Sequence, residues 1–95
     1  MSEKSFVYFF ENVSPPSRSA IEGHVAYLRA LDDLGVLVFC GPFRDGDGGL
    51  VCFSAESEEA AQLVAKKDPF VEEGCKRYRL REVERATRAN NYLLD

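Results

Sequence analysis

The chain predicts an α+β, ferredoxin-like fold with element order βαββαβ, in which a four-stranded antiparallel sheet carries both helices on one face. Four short segments read as strands, and two longer ones repeat their apolar residues every three to four positions, as amphipathic helices do. The two kinds alternate in an order that right-handed crossovers close into one sheet. At 95 residues there is room for one domain, residues 1–95, with 84–95 as a C-terminal tail.

The first strand is Ser5 to Glu11, a run of aromatic and β-branched residues too short for a buried helix. Asn12 to Ser17 contains Pro15-Pro16 and must be a loop. The period then changes to Ile21, Val25, Leu28, Leu31 and Leu34, a helix with Ser17 or Ser19 as N-cap and Gly35 as its stop. Val36 to Phe43 is the second strand, ending in Gly41-Pro42-Phe43. Arg44 to Gly49 supplies residues that tolerate positive φ, and Leu50 to Ser54 returns as the third strand. Ser57-Glu58-Glu59 opens a second helix with acidic residues where they suit the helix dipole, and it ends before Asp68-Pro69. Pro69 to Gly74 reads as a short helical turn. Cys75 to Val83 alternates Arg77, Arg79 and Arg81 with Tyr78 and Leu80, as a half-exposed edge strand would. The tail is polar except for Tyr92-Leu93-Leu94.

Composition narrows the partners. A net charge of −4 offers no basic field for nucleic acid or anionic lipid, and no apolar run is long enough to span a membrane. The polar start, Met1-Ser2-Glu3-Lys4, shows no leader pattern, so the expected location is cytoplasmic. Cys40, Cys52 and Cys75 are odd in number and lack C-x-x-C spacing, which excludes a disulfide framework and structural zinc. Symmetric pairing about Gly46-Asp47-Gly48 would set Cys40 opposite Cys52 as an oxidisable pair; small buried thiols are the plainer alternative.

The first three strands are apolar at nearly every position, so both sheet faces expect burial. Two helices cover only one face of a sheet about 15 to 20 Å wide. The helix-free face of a second copy is the simplest cover for the other, which predicts a homodimer.

His24 is the only histidine, and it falls among the apolar residues of the first helix. A carboxylate at Asp68 aimed at one ring nitrogen would fix the tautomer and leave the other nitrogen free as a general base. A histidine satisfied within the core, and an aspartate that merely starts a turn, are the structural alternatives. Gly23 costs the helix roughly 1 kcal/mol relative to Ala, unless something approaches the backbone beside His24. Tyr27 reads as structural or at the dimer surface. Gly46-Asp47-Gly48-Gly49 joins two strands, without the helix that a nucleotide loop needs. The βαββαβ order also suits an RNA-recognition domain, but the basic and aromatic residues required there are absent.

Taken together, His24-Val-Ala-Tyr-Leu, Gly35, Gly41-Pro42-Phe43, Gly48-Gly49, Ser57-Glu58-Glu59-Ala60 and Asp68-Pro69-Phe70 resemble the signature of the YciI-like proteins, the YCII-related domain. The resemblance spans roughly Phe6 to Leu80. It implies a dimeric α/β barrel with His24 and Asp68 as an active-site dyad, acting without metal or organic cofactor. One branch of that family eliminates hydrogen chloride from a chlorinated hydroxyquinol. Family members often carry an arginine shortly before the histidine, where this chain has Ile21-Glu22-Gly23 and no arginine nearer than Arg18.

The expected activity is that of a lyase or isomerase. His24 removes a proton next to a carbonyl or enol of a small cyclic or aromatic-derived molecule, and elimination or double-bond migration follows. Tyr8, Gly41, Pro42, Phe43 and Phe70 are the expected substrate-binding residues. The alternative is a non-catalytic module of the same fold that binds a small ligand.

Overall fold

The structure is a computed structural model and describes residues 3–95; the polar Met1-Ser2 start lies outside the described residues. Its elements run β1 (Lys4–Asn12), α1 (Arg18–Asp33), β2 (Leu37–Pro42), β3 (Gly49–Ala55), α2 (Glu58–Lys67), α3 (Pro69–Glu72), β4 (Lys76–Val83) and a 3₁₀ helix (Arg88–Leu93). The strands form one antiparallel sheet in the order β2-β3-β1-β4. This is the expected arrangement, with the two most buried strands central.

Register decides what each strand presents. Phe6, Tyr8 and Phe10 of β1 pair with Phe53, Val51 and Gly49 of β3, and all six are buried. Tyr8 contacts Phe53 and Phe10 edge-on at 5.7 and 5.3 Å, so the core beneath the helices is largely aromatic. Val7, Phe9, Leu50, Cys52 and Phe39 belong to the other face, beside Arg79 and Arg81 of β4. No helix among the described residues packs there, and Phe39 is 63% exposed.

The register also corrects the cysteine expectation. The hairpin closes with Phe43 opposite Gly48 and Pro42 opposite Gly49, one residue off the expected register, so that Cys40 faces Val51 and Cys52 faces Phe39; a bulge between Leu37 and Phe39 then shifts only the start of β2. The two thiols therefore occupy opposite faces and cannot pair; all three cysteines are free.

Helix α1 starts where Ser17 accepts the Ala20 amide at 3.0 Å and ends at Gly35, whose φ of +77° closes the helix. Its buried stripe differs from the expected one. Ala20 and Leu31 are buried and Gly23, His24, Tyr27 and Leu28 partly so, whereas Ile21, Val25 and Leu34 are exposed. Gly23 is an inner position where α3 comes close: a Cβ there would stand 3.2 Å from Cγ of Pro69. That contact explains a glycine in mid-helix.

The tail holds more structure than its composition suggests. Thr87 caps the 3₁₀ helix through a reciprocal bond with Asn90, and Arg85 Nε donates to Ser5 Oγ at 2.7 Å. Tyr92, Leu93 and Leu94 stay exposed. No helix among the described residues is long and apolar enough to cross a membrane.

Candidate active site

Asp68 joins α2 to α3 and is fully buried. Its backbone N–H closes α2 on Ala65, and its side chain opens α3 by accepting the Phe70 amide at 3.0 Å. It therefore serves the turn, as an aspartate before proline does. The same carboxylate also accepts the Tyr8 hydroxyl at 2.8 Å on Oδ2, and His24 Nδ1 lies 2.9 Å from both of its oxygens. Turn formation and contact with the imidazole coexist in one side chain.

A carboxylate only accepts hydrogen bonds, so Nδ1 must carry the proton in this pair. That leaves Nε2 as the lone-pair nitrogen of the neutral ring. It has no hydrogen-bond partner among the described residues, where no buried side-chain nitrogen or oxygen is left unpaired, so Nε2 is open. Packing holds the ring: His24 stacks on Phe70 with centroids 4.0 Å apart and meets the edge of Phe10 at 5.6 Å.

Tyr8 supports the carboxylate from below. Burial, then the neighbouring Asp68 charge, pushes its phenol far above the ordinary tyrosine range, so it stays a neutral donor. Tyr27 donates to the Val64 carbonyl at 2.7 Å and is raised to about 12, mainly by burial and then by Asp68. It ties α1 to α2 and does not line the cavity described next.

Beside the imidazole is a cleft of about 430 Å³. Phe10, Phe70, Val25 and Leu28 form apolar walls around His24, the β2–β3 hairpin contributes Cys40, Gly41, Pro42, Gly48, Gly49 and Leu50, and Lys76 stands at the margin. Gly48 has φ +92°, and a Cβ there would meet the Phe10 carbonyl oxygen at 2.2 Å, so only glycine lets the hairpin lie against β1. Burial, and secondarily Asp32, pushes the Cys40 thiol up, which makes it a wall rather than a nucleophile. A larger cleft of about 520 Å³ lies at the opposite end of β1, between Glu3 and Arg85. It is open and lined almost wholly by charged and polar residues, so the smaller apolar cleft beside the imidazole is the better candidate.

Of the residues expected to bind substrate, Gly41, Pro42 and Phe70 line this cleft. Tyr8 does not, because it is sealed beneath Asp68. Phe43 does not either: it lies beyond β2, where its backbone pairs with Gly48, and its side chain is 37% exposed. Arg18 is far out in solvent, paired with Glu22 at 3.1 Å. Sequence reasoning missed Lys76 and Cys40 as wall residues. The signal for Lys76 was its place one alternation before Tyr78, on the helix side of the last strand. Among the described residues no group of three or more His, Cys, Asp or Glu is placed to hold a metal ion.

A family model described as the YCII-related domain matches residues 5–84. The chain belongs to the YCII-related domain family. The match takes in every element from β1 to β4, including His24 and Asp68. No curated protein matches the chain. Among solved structures, this YCII-related chain is similar to the 5-chloro-2-hydroxyhydroquinone dehydrochlorinase of Burkholderia phenoliruptrix AC1100, determined in complex with 2,5-dihydroxybenzoquinone. The TM-score is 0.68 at 19% identity, covering 84% of this chain and 93% of that one. At that identity the likeness establishes a shared fold.

Proposed function

We propose that this YCII-related domain is a small enzyme that performs proton-transfer chemistry on a cyclic or aromatic-derived substrate, with His24 as general base and Asp68 as the group that orients it. The observation that carries the proposal is the buried Asp68 carboxylate on Nδ1, which leaves Nε2 open beside an apolar cleft. The ring nitrogen takes a proton from carbon next to a carbonyl or enol; the electron pair left behind expels a leaving group such as chloride, or shifts to form a new double bond. A base so placed contributes about 10² to 10⁴ in rate. The step calls for no electron acceptor and no cofactor.

The likeness to a dehydrochlorinase directs the first substrate to try, a chlorinated hydroxyquinol. Chloride release by the native protein, falling about 10²-fold or more in His24→Ala while ligand affinity holds, is the expected result. Loss of affinity with no chemistry to lose would make the chain a ligand-binding module instead. The same proposal includes a homodimer. The half-buried Phe9 and Cys52 and the exposed Phe39, around the already buried Val7, form an apolar helix-free face that a second copy would cover, as two sheets pack in a dimeric α/β barrel. Three free thiols favour the cytoplasm as its place.

A further inference from the structure

Among the described residues Lys76 is the one cation in the wall of the His24 cleft. It opens β4 opposite Asn12, on the sheet face that carries Phe10 and Tyr78. Its Nζ lies 5.0 Å from the centre of the Phe70 ring and 5.9 Å from that of Phe10, the two rings that also hold His24. The ammonium and the imidazole are thus each within 5.0 Å of the centre of one phenylalanine ring. Among the described residues no carboxylate pairs with Lys76; its one partner is the Asn12 side-chain oxygen at 2.6 Å. An ammonium has three donors, so two remain available at the edge of the cleft.

The ammonium stands half-exposed at the margin of an apolar wall and is held by one neutral partner, so it is free to meet an anionic group that enters the cleft. The ring faces of Phe10 and Phe70 attract it without using the donors. Asp68 is not its counter-charge: the carboxylate is fully buried, pairs with His24, Tyr8 and the Phe70 amide, and makes no ion pair with Lys76.

We propose that Lys76 binds an anionic oxygen of the substrate, so that the cleft selects planar rings carrying a carboxylate, phenolate or enolate. The inference rests on the reading of this cleft as the substrate site and deepens it by naming the substrate class. It also gives Lys76 a part in the reaction. When His24 removes a proton beside a carbonyl, negative charge collects on the carbonyl oxygen, and an ammonium already in place stabilises that charge most where water is excluded.

The test compares two planar probes of the same shape, benzoate and its neutral amide, benzamide, titrated into the full-length protein and followed by calorimetry and by the His24 ring signals in NMR. Native protein should prefer benzoate by at least about tenfold, the size of one charge-assisted hydrogen bond. Lys76→Gln should reduce the preference to within about twofold, and Lys76→Arg should keep most of it. Lys76→Met, similar in length, repeats the loss should the glutamine variant fold poorly. An undiminished preference in both neutral variants overturns the proposal, as does the absence of preference, or of binding, in the native protein at millimolar probe. The readout is affinity rather than turnover, so His24→Gln, which removes the base, should leave the benzoate preference standing. A failed charge preference with intact His24-dependent turnover would sink the Lys76 assignment alone.

Discussion

Removing the hydroxyl of Tyr8 probes the support of the dyad without touching the cleft. Tyr8 is fully buried, and its hydroxyl donates to Asp68 Oδ2 at 2.8 Å. In Tyr8→Phe that oxygen loses a charge-assisted bond, and no water can reach it to compensate. Hydrogen bonds to charged groups contribute about 1.5 to 3 kcal/mol net, and the small void left by one oxygen adds little, so the expected loss is ~2 kcal/mol. For a chain of this length that corresponds to a fall of about 8 to 16 °C in Tm. Tyr78→Phe is the control: the Tyr78 hydroxyl donates to Gln62 Oε1 at 2.5 Å, but at a half-buried position where water can replace the partner. It should cost less than about 1 kcal/mol. Urea unfolding of the three proteins at one concentration decides the matter. If Tyr8→Phe costs no more than Tyr78→Phe, the buried carboxylate does not depend on its tyrosine and the proposed design of the site is wrong.

Three further outcomes are expected. Gly23→Ala should forfeit most of the roughly 1 kcal/mol that helix propensity offers, because its methyl pushes Pro69 and with it Asp68; full stabilisation with unchanged His24 ring signals would show that the close approach is unimportant. Alkaline unfolding should be steep. The folded protein favours neutral Tyr27, raised from 10 to about 12, so this contribution is intact below pH 10 and is lost as pH climbs toward 12. Tyr8 acts in the same direction, and Tyr27→Phe should flatten the dependence in equilibrium unfolding measured across that range. Phe39→Asp should turn a dimer into a monomer in light scattering, since Phe39 is 63% exposed on the helix-free face; a native protein that is already monomeric at micromolar concentration rules out that interface.

Much of the fold was legible because the signals were local. Pro15-Pro16, Gly35 and Asp68-Pro69 punctuate the chain, and between them the apolar period changes cleanly from strand to helix. The meeting of His24 with Asp68 was legible for a chemical reason: a lone imidazole amid apolar residues asks for a partner, and a buried turn carboxylate is a suitable one. What sequence pattern misjudged was determined by close approach. Ile21 and Val25 are more hydrophobic than Ala20 and Gly23, yet the smaller pair faces inward, and at Gly23 the close approach of Pro69 leaves little room for a side chain. The pairing of Cys40 with Cys52 depended on a symmetric turn, and the turn that forms is offset by one residue. Tyr8 and Phe43 looked like pocket residues from their aromatic character alone. Whether an aromatic side chain ends in the core, in solvent or in a cleft depends on register and on the neighbouring chain. Lys76 is the reverse case, a residue with an ordinary strand-edge appearance that the turn at Asp68 and the end of β1 bring to the imidazole.

The most direct test of the site is ¹⁵N NMR of the single imidazole, in the native protein and in Asp68→Asn. With Asp68 holding Nδ1–H, the neutral ring should exist as one tautomer, protonated at Nδ1 and bare at Nε2, and the variant should show a mixture of tautomers or the opposite one. A native ring already divided between tautomers, or one that does not change when the carboxylate becomes an amide, would break the pairing and with it the case for His24 as an oriented base.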